Sequence, residues 1–212
     1  MGGRFEDEKA DFNPKSWLSK YRRRSVGYLF EMLLFYHGIG IALLIGGSAA
    51  IEYAFPSHQE PSLPHSLSGV LTAGPIEESL FFGIPYYVVG SNYLLLLTGS
   101  FWAILHVFNS NSFDAAHLAF GNLLFVTPSL FFSLRTWATG RGWFAVIVHS
   151  AWNVIFFEAG CNSGEFSCTI FDPTIEATAG SIAASVGLTA ATYVLYRLRN
   201  SRERQPLTTE ST

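Results

Sequence analysis

From Ser25 to Leu134 the chain contains no lysine or arginine. Its 13 basic residues sit almost entirely at the two ends. Arg4, Lys9, Lys15, Lys20, Arg22, Arg23 and Arg24 lie in the first segment, and Arg197, Arg199, Arg202 and Arg204 in the last. Only Arg135 and Arg141 fall between. A water-exposed domain rarely keeps so long a run free of cations, whereas a bilayer-embedded chain does, because a cation there costs several kcal/mol. Composition agrees: 14% of residues are charged and 49% hydrophobic, with a mean hydropathy of +0.27, against about 25% charged in soluble domains. An aromatic content of 16% excludes a disordered chain. A net charge of -3 gives no clustered basic face for nucleic acid. Two cysteines cannot build a disulfide-dense scaffold.

A hydrocarbon core of about 30 Å needs roughly 20 apolar residues per helix. Six stretches qualify: Met32–Ile51, Leu67–Val89, Tyr93–Phe108, Phe113–Leu134, Trp143–Ala159 and Ala177–Tyr196. The expected fold is an all-α, polytopic transmembrane helix bundle of about six spans. Both basic termini are expected in the cytoplasm by the positive-inside rule. Residues 26–199 then form the membrane domain, with tails at 1–25 and 200–212, in a multi-pass protein of the cell membrane. The remaining loops agree. Arg135–Gly142 carries both internal arginines on the inner side, while Pro56–Ser66, Asn109–Ser112 and Gly160–Glu176 on the outer side carry none. Met1–Ala10 is too charged for a signal peptide. Leu67–Val89 contains Pro75 and Pro85 and is expected to be broken or kinked, and broken helices at membrane depth line cavities or sites. Cys161 and Cys168 share the last outer loop, where an oxidising exterior permits a disulfide; two unpaired thiols are the alternative.

Ionisable residues inside spans mark functional sites by default. Here they are His37 in the first span, Glu77 and Glu78 in the second, His106 in the third, His117 in the fourth, and His149 and Glu158 in the fifth; Asn122 and Asn153 add amides. Two adjacent carboxylates in an apolar stretch are costly to ionise together, so one is expected to be protonated or strongly hydrogen-bonded. Adjacent helical residues point about 100° apart. One glutamate can therefore face a cavity while the other braces a neighbouring helix. His149 and Asn153, four apart, share a helix face. Both can donate hydrogen bonds, which an oxyanion needs, although interhelical bonding alone also uses such pairs. At about 1.5 Å per residue, Glu77, His106, His149 and Asn153 can share one layer, and depth does not exclude His117.

These residues resemble the motifs of the CPBP intramembrane proteases, the group of CAAX prenyl endopeptidases and bacteriocin-processing or immunity (Abi-like) proteins. The first motif, Glu-Glu-x-x-x-Arg, reads Glu77-Glu78-Ser79-Leu80-Phe81-Phe82, followed by Gly83. The second, an aromatic residue four before histidine, is met by Trp102 and His106. The third, His-x-x-x-Asn, is met by His149 and Asn153. Order and spacing agree over Pro75–Asn153. The departure is Phe82, where the family usually carries Arg, so Glu78 has no cation partner from that motif.

The resemblance implies a glutamate-dependent endopeptidase acting on a peptide or protein substrate at the membrane, with possible CAAX-type processing. Glu77 would activate water, His106 would help position it, His149 and Asn153 would stabilise the oxyanion, and Glu78 would support them. No cofactor is expected. Zinc on Glu77, His106 and His149 is the alternative, although the chain has no His-Glu-x-x-His segment. A non-catalytic scaffold or immunity protein, suggested by Phe82, and a small transporter remain open. A rhomboid-type serine protease lacks its Gly-x-Ser-Gly segment.

Overall fold

The computed structural model describes residues 25–56, 62–65, 67–88, 92–108, 116–162, 167–170 and 174–204. Each expected span is present as a helix. The bundle consists of α1 (Val26–Ala54), α2 (Leu67–Glu77), a π-helical turn (Glu78–Gly83), α3 (Ile84–Val88), α4 (Asn92–Leu105), α5 (Ala116–Ala138), α6 (Gly142–Asn162) and α7 (Ile175–Arg204). Helix α1 outruns the expected Met32–Ile51 at both ends. It starts where the Ser25 hydroxyl accepts the Tyr28 N–H, a side-chain cap that hydropathy cannot register. Helix α4 stops at Leu105, and His106–Phe108 form a turn.

The helical fold carries one short addition that hydropathy does not show. Strands β1 (Ser62–His65) and β2 (Ser167–Ile170) pair in parallel, with Ser62 opposite Ser167 and His65 opposite Ile170. Each is four residues long, too short to register as alternation. The pairing ties the connection after α1 to the connection after α6, so both lie at one end of the bundle, as alternating spans require. The cysteine side chains, residues 109–112 and the side chains of His117 and Glu158 lie outside the described residues.

Helix α1 lies along α5, and α2 lies between α6 and α7. Small residues allow the first contact: a Cβ on Gly40 would sit 2.9 Å from the Phe125 carbonyl oxygen. Leu29, Met32 and Tyr36 meet Phe132 and Leu134 in one apolar core that also takes in Phe82, Trp102 and Trp137. The outer faces are also apolar. Leu34, Ile45, Leu97, Ile147 and Val186 are each more than half exposed, a covering suited to lipid rather than water. By length and composition, Val26–Ala54 and Ile175–Arg199 can each cross a membrane.

The second span is widened and bent, and two prolines explain how it survives. Pro75 and Pro85 have no N–H, so the carbonyls four residues earlier, of Leu71 and Phe81, lose their helical donors. Both recover one from a neighbouring helix. The Ser150 hydroxyl donates to the Leu71 oxygen (3.3 Å) and the Thr98 hydroxyl to the Phe81 oxygen (2.7 Å). In hydrocarbon such freed groups must be satisfied within the protein. Between the prolines the chain takes π geometry, with the Ile84 N–H bonding the Ser79 oxygen. Single π turns of this kind occur often at functional sites.

Gly74 brings this span against α6: a Cβ there would lie 2.3 Å from Ser150 Oγ and 2.8 Å from Ser150 N. Gly74→Val is therefore expected to push α2 off α6 and cost about 1–3 kcal/mol, read as a lower thermal midpoint in detergent. Thr98→Val, which leaves the Phe81 carbonyl without its donor, is expected to cost about 1 kcal/mol.

Candidate active site

The two adjacent glutamates end up in different surroundings, as the helical turn between them requires. The Glu77 side chain is 26% exposed and lines a cavity of about 360 Å³, whereas that of Glu78 is 1% exposed. Glu78 is held on both oxygens. Its Oε1 accepts the Ser133 hydroxyl at 2.7 Å and meets His149 Nδ1 at 3.3 Å, and its Oε2 accepts Trp137 Nε1 at 2.8 Å. Ser133 and Trp137 are four apart on α5 and so share one face. A buried carboxylate is tolerable only when its lone pairs are matched by donors, and these three groups supply them.

This explains how the chain tolerates Phe82. That side chain is fully buried, packs edge-on to Trp102 at 5.4 Å between ring centroids, and lies against Gly99, where a Cβ would come within 3.0 Å of the ring. An apolar ring braces the tryptophan, and Glu78 draws its hydrogen bonds from α5 and α6 instead of from an arginine on its own helix.

Glu77 Oε2 is the convergence point. The Trp102 indole N–H donates to it in a short hydrogen bond. His106 Nε2 lies 3.8 Å away and His149 Nε2 3.6 Å away. The Trp102 ring packs edge-on to both imidazoles, 4.5 Å from His106 and 5.5 Å from His149. His106 is fixed by the helix it follows, since its Nδ1 donates to the Trp102 carbonyl at 2.9 Å. A carbonyl can only accept, so Nδ1 carries a proton, and the neutral ring presents the Nε2 lone pair to Glu77.

His149 bridges the glutamates, with Nδ1 to Glu78 and Nε2 to Glu77. Its approach depends on a tight turn between α5 and α6. Gly140 adopts φ +77°, and the Arg141 N–H reaches back to the Thr136 oxygen at 3.4 Å. Only glycine takes that conformation cheaply at a helix end.

One oxygen and two imidazole nitrogens, from Glu77, His106 and His149, lie within 4.8 Å of one another. Such a set suits a water held by several acceptors, and its donor types also suit a divalent ion such as zinc. Asn153 lines the same cavity, one turn from His149, as does Asn122. The five sequence-derived site residues thus border one cavity, with Glu78 forming its sealed back wall.

Three contributors were not among those site residues. Ser133 and Trp137 hold Glu78, and the only sequence trace of them is a polar stripe, Ser129-Ser133-Trp137, repeating every four residues in an apolar helix. His37, noted only as an in-span histidine, also lines the cavity.

The fold and the cluster together describe a helical membrane protein with a carboxylate–imidazole site inside the bundle. The family model for type II CAAX prenyl endopeptidases, described as Rce1-like, matches residues 59–155. That segment contains all three motifs, and the match supports a CPBP-type intramembrane protease. No curated protein and no solved structure matches the chain.

Removing one donor from Glu78 leaves a buried carboxylate short of a partner. Ser133→Ala and Trp137→Phe are each expected to cost about 1.5–3 kcal/mol, the range for hydrogen bonds to charged groups. Melting in detergent checks the loss. A double mutant less destabilised than the sum of the two would show that both serve the same carboxylate.

Proposed function

We propose that this chain is a multi-pass endopeptidase of the cell membrane, of CAAX-processing type, in which Glu77 activates the attacking water. The observation that carries the reading is the meeting of Glu77 Oε2 with His106 Nε2 and His149 Nε2 at the cavity wall. Two acceptors facing each other across 3.8 Å call for a bridging group with two hydrogens, and water is that group. Glu77 takes a proton as the water attacks a peptide carbonyl, and His106 orients the water through its lone pair. The Trp102 N–H holds the Glu77 carboxylate in place during the step. The developing oxyanion is met by His149 Nε2–H and the Asn153 amide. That role needs a proton on Nε2 together with one shared between Nδ1 and Glu78 Oε1. Glu78 thus acts as a positioning residue: it fixes the His149 ring and stabilises the imidazolium that such a proton count creates. The mostly apolar walls strengthen each of these interactions.

A divalent ion on Glu77, His106 and His149 is the second reading, favoured by the same close donor set. Such an ion, when bound, would supply Lewis-acid polarisation of the peptide carbonyl and of water.

One cleavage assay separates these readings. Purified protein is incubated with a membrane-tethered peptide library, as wild type and as Glu77→Gln, each with and without a strong chelator. Loss of at least about a hundredfold in rate is expected for Glu77→Gln, within the usual range for removing a general base, with wild-type cleavage surviving the chelator. Cleavage abolished by chelator and restored by zinc would move the assignment to the metal. Cleavage undiminished in Glu77→Gln would overturn both.

A further inference from the structure

The cavity has a second polar feature that this chemistry leaves unused. His37, on α1, is 5% exposed and borders the same cavity as Glu77. Its ring is held in an aromatic slot. It stacks on Trp152 (centroids 5.4 Å apart, planes 3° apart) and meets Phe132 edge-on at 5.0 Å and Phe125 at 6.2 Å. Its Nδ1 lies 3.1 Å from the Leu33 carbonyl. Nδ1 must donate there, so Nε2 of the neutral ring is an acceptor. Among the described residues Nε2 has no hydrogen-bond partner, yet it is not sealed off from the cavity.

A phenylalanine would fill the same slot without presenting a lone pair to the cavity, and an acceptor stripped of water by an incoming ligand is unfavourable unless the ligand donates to it. The lone pair therefore has a use only when something in the cavity donates to it. A peptide drawn into a largely apolar cavity has the complementary problem, because its main-chain N–H groups lose water and need acceptors. Trp152, on which His37 stacks, and Asn153, proposed to receive the oxyanion, both line this cavity.

We propose that His37 is a substrate-positioning residue whose Nε2 accepts a hydrogen bond from one main-chain N–H of the bound peptide. The proposal rests on the peptidase reading for its ligand, but binding tests it separately from cleavage.

The experiment uses the full chain in nanodiscs, as Glu77→Gln and as Glu77→Gln with His37→Phe. The probes are a palmitoyl-anchored decapeptide library and versions in which one amide at a time is an ester, which removes a single N–H. With His37 present, an ester at one position is expected to lower retention about tenfold. With His37→Phe, amide retention is expected to fall about tenfold, and that ester to cost nothing further. His37→Gln, which keeps an acceptor, is expected to recover part of the ester sensitivity, a recovery that a purely packing role would not produce. Ester sensitivity that is identical with and without His37, or no retention of any library by the His37 protein, overturns the proposal. Cleavage of the amide library by wild type is scored in parallel. Coupling to His37 without cleavage would sink the peptidase reading and keep the positioning role, and cleavage without coupling would do the reverse.

Discussion

A carboxylate buried almost completely in an apolar bundle must be given donors, and Glu78 organises the structure around that requirement. Its three partners come from two helices, Ser133 and Trp137 from α5 and His149 from α6. Satisfying it therefore sets the relative depth and rotation of the second span, α5 and α6 together. The same bonds orient the His149 ring so that its other nitrogen meets Glu77. A structural hydrogen-bond knot and a cavity-facing carboxylate are thus one assembly, joined through a single imidazole.

The second span shows how an unfavourable sequence becomes useful in a membrane. Two prolines strip donors from the carbonyls of Leu71 and Phe81, and hydroxyls of Ser150 and Thr98 replace them. Each replacement is also an interhelical contact, one to α6 and one to α4. The local defects therefore pin the span to the helices that supply His149 and Trp102. Gly74 makes the α6 contact possible by letting backbone approach backbone. The substitution at Phe82 fits the same logic: an aromatic ring supports Trp102 from behind, and Trp102 in turn holds Glu77.

The Glu77 cluster brings a carboxylate oxygen and two imidazole nitrogens to one point, with a donor, Trp102, on one side. Such a point asks for a water or a cation, and the match of residues 59–155 to a protease family model points to a peptide as the group beside it. Elsewhere on the cavity wall, His37 adds an acceptor among the rings of Phe125, Phe132 and Trp152. The cavity thus carries polar groups of two kinds, those suited to chemistry and one suited to holding a main chain.

The sequence by itself determined the helical spans and the residues that meet at the cavity. Hydropathy and cation exclusion are properties of single segments in a bilayer, so they show without tertiary information. The motif spacing, and the turn that forces Glu77 and Glu78 apart, are likewise local. The two short strands escaped because four residues carry too little pattern, and they arise from a pairing more than a hundred residues apart. Tertiary structure alone decided which glutamate faces the cavity, how Glu78 is satisfied without the arginine its motif lacks, and that Ser133, Trp137 and His37 belong to the site. Each of these depends on which atoms of distant helices meet, and a buried charge or lone pair is settled only by partners that the chain brings together when it packs.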